Sequence, residues 1–267
     1  MWIADSFDRR LTYLRVSVTD RCNLRCTYCV PAENRPLLPR SEILSFEEIR
    51  DLVGVAVGLG MTKIRLTGGE PLTRRDIATL VRMLAAIDGI GDLAMTTNGI
   101  LLAELAGPLR AAGLHRLNVS LDSVAPDRYR ELTRGGDVAQ VLRGLAAARG
   151  AGFARIKLNC VVRKSPLEED AQGVARFGSE QGFEVRFIRE MNTREGRFSR
   201  VIGGDGGDCR RCDRLRVSSV GLVYPCLFSN QAFSLRTLGI EPALRAAAAA
   251  KPESGHRSEN EFYALGG

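Results

Sequence analysis

Short runs of this chain alternate apolar with strongly polar residues, a pattern that few folds can satisfy. In Lys63-Ile64-Arg65-Leu66-Thr67, successive side chains point to opposite faces of a strand, so Lys63, Arg65 and Thr67 share one face. Arg15, Ser17 and Thr19 share a face near 12–18. Asn118, Ser120 and Asp122 do so near 115–121, and Lys157 with Asn159 near 154–162. Arg186 repeats the pattern near 183–189, and a further run lies near 92–96. Helical stretches fit between these runs, over 46–59 behind a Ser45-x-x-Glu48 capping box, then 76–87, 101–112, 138–149 and 169–180. Strands alternating with helices predict a parallel sheet. Parallel strands covered on both faces are normally apolar throughout. An α/β fold built as an incomplete (β/α)6 barrel resolves the conflict. Apolar residues then lie under the helices, and polar ones line a cavity for a polar ligand. A doubly wound open sheet is the alternative. Cys160 falls on the apolar face with Ile156, Leu158 and Val162, which predicts a core residue rather than a ligand.

Three cysteines follow the first strand: Cys22, Cys26 and Cys29, spaced C-x3-C-x2-C. A cubane [4Fe-4S] cluster usually takes four thiolates. Three with no fourth nearby leave one iron open for a non-protein ligand. Zinc competes for short cysteine loops. A second set, Cys209, Cys212 and Cys226, has no obvious fourth ligand. The only histidines, His115 and His256, read as surface residues. The second set therefore repeats the logic of the first, with zinc again the alternative. Arg214 and Arg216 share a face on a short strand beside it. Strand ends carry Gly68-Gly69-Glu70-Pro71, Thr96-Thr97-Asn98-Gly99 and Ser120-Leu121-Asp122. In parallel α/β folds those ends build the ligand site.

The 267 residues are 45% hydrophobic, enough for one large domain or a domain with a small appendage. No run approaches the ~20 apolar residues of a membrane span, and the start MWIADSFDRR is not a signal region. Seven cysteines in such a chain read as cytoplasmic ligands rather than disulfides. A net charge of +7 suits an anionic ligand. With 6% aromatics there is no stacking motif for nucleic acid.

The stretches TYLRVSVTDRCNLRCTYC, KIRLTGGEPLTRRD, TTNGILL, RLNVSLDS and RFIREM, the CxxCxRxR…PCLF segment and the closing Gly-Gly together resemble the MoaA-type GTP 3′,8-cyclases. These are radical S-adenosylmethionine (SAM) enzymes, of lyase type, in molybdenum cofactor biosynthesis. The resemblance implies two [4Fe-4S] clusters and SAM as cofactors. Cys22, Cys26 and Cys29 would hold the cluster that cleaves SAM, and Cys209, Cys212 and Cys226 a substrate-side cluster. Tyr28, Gly68, Gly69, Glu70, Ser120 and Met191 would line SAM. Arg15, Arg65, Thr96, Lys157, Arg186, Arg214, Leu215 and Arg216 would hold GTP. Arg15 and Lys157, with the tail glycines Gly266 and Gly267, would act in catalysis. It also implies hydrogen abstraction from the ribose C3′, attack on purine C8, and a pyranopterin monophosphate synthase downstream. An electron donor such as flavodoxin or ferredoxin is implied too. A homodimer is left open; membrane and nucleic acid are not expected. The domains implied are a partial barrel over 1–192 and a small iron–sulfur domain with the tail over 193–267. Only 17 residues separate Met191 from Cys209, where the family usually has several dozen more. That stretch reads as a flexible Gly-rich loop. Arg189 and Asp213 also stand where the family often has an acidic residue and Asn. The alternatives are a two-cluster radical SAM enzyme for another nucleotide or a peptide, and a non-catalytic metal-binding scaffold.

Overall fold

The computed structural model describes residues 2–30 and 37–265. Six strands run parallel, each paired with the next: β1 (Tyr13–Ser17), β2 (Lys63–Thr67), β3 (Asp92–Thr97), β4 (Arg116–Ser120), β5 (Ile156–Val162) and β6 (Glu184–Arg189). Helices α1 (Phe46–Gly58), α2 (Ile77–Ala85), α3 (Leu102–Ala111), α4 (Pro126–Thr133), α5 (Val138–Gly150) and α6 (Glu169–Gln181) connect them. The expected strands and five of these helices appear within a few residues of their predicted bounds. The capping box forms as read: Glu48 N–H donates to Ser45 Oγ at 3.1 Å, and Ser45 N–H to Glu48 at 2.7 Å. α1 then turns Ile49, Leu52, Val53 and Ala56 into the core. β5 alternates buried with half-buried residues along its whole length, and Cys160 lies in the core.

The sheet curls. β2 and β6 stand four places apart in the strand order β6-β5-β4-β3-β2-β1-β7-β8-β9. A flat sheet would separate them by roughly 19 Å. Yet Arg186 on β6 depresses the basicity of Arg65 on β2, and both line one cavity. The open barrel, not the flat sheet, is the observed form.

Beyond β6 the chain returns to the same sheet. β7 (Arg214–Val217) adds parallel to the free edge of β1, followed by antiparallel β8 (Leu222–Tyr224) and β9 (Phe233–Ser234). α7 (Leu235–Leu238), α8 (Ile240–Ala249) and α9 (Phe262–Leu265) complete the order. A small second core of Leu227, Phe228 and Leu265, with Met191, Phe198 and Tyr224 against it, lies under this region. The Gly-rich stretch is built in rather than loose. Ile202 exchanges two backbone hydrogen bonds with Phe187 of β6, both 3.0 Å, and Asn192 bridges Arg197. It forms a strap from β6 to the second cysteine loop. No helix among the described residues is long and apolar enough to cross a membrane.

Candidate active site

Strand register stacks the inward side chains in layers. Arg216, Arg15 and Arg65 are direct neighbours across β7, β1 and β2. All three are under a tenth exposed. They line a cavity of about 1270 Å³ together with Lys63, Arg116, Lys157, Arg186, Arg214 and Lys251. Burial, and then the charge of Arg216, holds the Arg15 guanidinium down at about 9. Burial holds Arg65 at about 10, with Tyr13 opposing and Arg15, Arg116 and Arg186 adding to it. Burial and Arg214 hold Arg216 at about 10. Such a layer disfavours its own charge and favours an incoming anion. Arg65 Nε and Thr96 Oγ1 are buried with no hydrogen-bond partner among the described residues, which fits a polar ligand. Leu215 is corrected. Its side chain is fully buried in the apolar core between the two arginines, because alternation turns it to the other face.

Lys157 and Arg186 share one carboxylate. Lys157 Nζ lies 2.7 Å and Arg186 Nε 3.0 Å from Glu184 Oε1. A phosphate arriving there competes with Glu184. Asp92 pairs with Arg116, and Asp213 with Lys63 at 3.5 Å. The strap closes the cavity wall through Phe198, Gly204, Gly206 and Asp208.

The two cysteine sets occupy opposite ends. Cys22, Cys26 and Cys29 follow β1, beside the ends of β2 and β3. Cys209 and Cys212 precede β7, and Cys226 follows β8, which runs the other way. Among the described residues no three His, Cys, Asp or Glu side chains converge tightly enough to hold one metal ion. The fit of each set therefore rests on its donor chemistry. At the first, burial pushes the Cys26 thiol up, with Asp122, Cys29 and Cys22 adding to it. Three soft sulfur donors close enough to oppose one another's charge suit bound iron. At the second, burial raises Cys212, but Lys251 and Arg214 outweigh it and set the thiol at about 7. His115 and His256 are exposed.

Gly69 and Glu70 fasten the segment that leads into the first cysteine loop, and Gly68 packs against it, since a Cβ there would lie 2.4 Å from Thr19 O. Gly69 N–H donates to Thr19 O at 2.9 Å and Glu70 N–H to Arg21 O at 2.7 Å. Glu70 is buried and accepts three hydrogen bonds: Leu72 N–H and Thr97 Oγ1 donate to one oxygen, Asn98 N–H to the other. These bonds tie the turn after β2 to the end of β3. Ser120 ends β4, level with Asn159. Met191 lines the cavity and touches the small core. Gly266 and Gly267 lie outside the described residues.

Three groups were not singled out as site residues from sequence. Tyr13 lies beneath Arg65, its ring centroid 5.3 Å away. Lys251 is considered below. Asp122 takes hydrogen bonds from Tyr28 Oη (2.8 Å) and Val161 N–H (2.8 Å), so it seats the tyrosine of the cysteine loop. Burial holds its carboxyl up at about 6, against hydrogen bonds from Val161 and Tyr28. A carboxyl raised in the folded state keeps its proton better folded than unfolded. Its stability contribution therefore falls as pH rises from 3.8 through about 6. Asp122→Asn is expected to remove that part of the slope in melting curves taken across pH. An unchanged slope would assign it to another group.

Residues 16–178 match the Radical SAM superfamily. The GTP 3′,8-cyclase of Geobacter sulfurreducens is 37% identical over 99% of this chain and 98% of its own length. The chain belongs to the GTP 3′,8-cyclase family of radical SAM proteins. The GTP 3′,8-cyclase of Moorella thermoacetica is 40% identical over 84% of this chain and 83% of its own. The Geobacter alignment runs over 321 positions against 267 residues here, so that relative carries several dozen residues with no counterpart in this chain. Among solved structures, Streptococcus suis SuiB aligns with a TM-score of 0.57 at 17% identity, over 70% of this chain and 42% of its own. Methylornithine synthase (PylB) gives 0.55 at 17%, over 73% and 60%. These likenesses concern the fold. Membership of the family brings a [4Fe-4S] cluster and SAM.

Proposed function

We propose that this protein converts GTP to 3′,8-cyclo-7,8-dihydroguanosine triphosphate, the first step of molybdenum cofactor biosynthesis. The observation that carries the reading is the buried layer of Arg15, Arg65 and Arg216 between two cysteine loops. The names of the relatives agree with it. The bound cluster and SAM supply a radical able to abstract hydrogen. The chain's own residues do the rest. Arg15, Arg65 and Thr96 orient the nucleotide. Lys157 and Arg186 exchange Glu184 for phosphate oxygens, each charge-assisted bond contributing roughly 1.5–3 kcal/mol. Tyr28, Gly69, Ser120 and Met191 position SAM. Cys209, Cys212 and Cys226 are read as ligands of a second [4Fe-4S] cluster facing the base. Arg216 Nη1 donates to the Leu265 carbonyl at 3.3 Å, which supports reading Gly266 and Gly267 as substrate-positioning residues. The second-cluster region over 193–267 is proposed as a functional unit on the barrel over 1–192. A cytoplasmic setting, a flavodoxin or ferredoxin donor, a pyranopterin monophosphate synthase acting next, and a homodimer belong to the same proposal.

Anaerobic incubation with SAM, a reductant and GTP tests it. The product is expected to be an isomer of GTP, since the hydrogen lost from C3′ is balanced by one electron and one proton. Fragmentation should no longer separate base from ribose. Reconstituted protein should hold about eight irons, and Cys22, Cys26 and Cys29 replaced together by Ala about four, with SAM cleavage lost. Cleavage of SAM that leaves GTP unchanged would point to another substrate, which the shortened strap makes the reading to test next.

A further inference from the structure

Lys251 follows α8 and is 3% exposed. Its ammonium donates to the Arg214 carbonyl at 2.8 Å and to the Pro225 carbonyl at 2.8 Å. Those carbonyls stand two residues after Cys212 and one before Cys226. One side chain thus joins two of the three segments that carry the second cysteine set. Arg9 joins the third: its Nη1 donates to the Cys209 carbonyl at 2.6 Å, and its Nη2 to the Pro252 carbonyl at 2.6 Å. Pro252 is the residue next to Lys251. The two cations differ in one respect. Arg9 has a buried carboxylate partner, with Nε 2.5 Å from Asp5. Lys251 has only neutral carbonyls, and no carboxylate among the described residues. A buried ammonium is costly unless an anion stands near it. The thiols of Cys212 and Cys226 are the groups the fold places there, with Arg214 and Arg216 adding further positive charge.

We propose that Lys251 is the counter-cation of the second cysteine site, joining its segments and stabilising an anionic thiolate-bound cluster there. This rests on the second-cluster reading above. It makes Lys251 a positioning residue whose charge also sets the cluster's reduction potential. A positive charge removed from beside a cluster favours the oxidised form, so the midpoint should fall.

The test uses the full chain, reconstituted anaerobically. Adding SAM perturbs the electron paramagnetic resonance signal of the barrel cluster alone, which separates the two clusters. Lys251→Gln keeps a hydrogen-bond donor and removes the charge. It is expected to lose iron from the second site, and whatever cluster remains should titrate at a lower midpoint. Lys251→Arg keeps the charge and should keep both iron and midpoint. Should the Gln variant fail to fold, the Arg variant still decides, since loss of iron with Arg would overturn the role of charge. Wild-type iron and an unshifted midpoint in Lys251→Gln would overturn the proposal and leave the cluster standing. A wild-type protein holding about four irons would overturn the second cluster, and the proposal with it.

Discussion

Gly69→Ala is expected to lower SAM cleavage by about 100-fold or more, because displacements near 1 Å cost about that much in a positioned reaction. The backbone at Gly69 is not left-handed, so strain is not the reason. Space is. An ideal Cβ there would lie 2.3 Å from Arg21 O, 2.6 Å from Arg21 C and 2.9 Å from Asp20 O. Every obstacle is main chain, and it is the main chain that leads directly into Cys22. No rotamer can yield. The hydrogen bonds from Gly69 and Glu70 to this segment would open, and the cysteine loop would move away from the ends of β2 and β3. Cleavage rate, SAM affinity and iron retained at the first site would be measured together. Cleavage close to the wild-type rate would show that the loop adapts, and that the clamp described here does not set its position.

Arg65→Met is expected to weaken nucleotide binding by roughly 1.5–3 kcal/mol, about 10- to 150-fold, while thermal stability holds or rises. The opposite signs are the point. Arg65 is buried, its Nε has no partner among the described residues, and its neighbours Arg15, Arg116 and Arg186 are cations. Replacing a buried charge by an apolar side chain of similar length is often neutral or stabilising. The same charge is what an anionic ligand would pair with. Calorimetry with GTP and melting curves without it give the two numbers. A clear loss of stability with unchanged GTP affinity would make Arg65 part of the framework instead.

The barrel was legible because its sequence obeys two periods at once. Five helices carry a buried stripe, and the strands separate apolar from polar residues so sharply that face and register follow from the letters. Leu215 comes in with its arginine neighbours through the resemblance, whereas alternation by itself turns its side chain away from the cavity and into the apolar core. α4 was missed since only Tyr129 and Thr133 of its eight residues are buried, too thin a stripe to stand out among charges. The strap was read as loose because glycine reports freedom, not pairing; its bridge to Phe187 depends on a strand remote from that composition. Lys251 was invisible for a related reason. A lysine after an alanine-rich helix looks like an ordinary charged helix end. Nothing local says that its ammonium is taken up by the carbonyls of Arg214 and Pro225.

The docking of β7 on β1 turns the sheet into a ruler. One cysteine loop hangs from the top of β1, and the other from the bottom of its neighbour, with Tyr13 level with Arg214 and Val16 with Val217. The gap between the two loops is thus measured in strand residues, at about 3.3 Å each. Five residues of β1 make it roughly 16 Å. Adding one residue to β1 would turn its arginine to the helices. Adding two would restore the face and lengthen the rule by about 7 Å. The separation of the two cysteine loops is therefore graduated on the backbone itself, before any side chain is chosen.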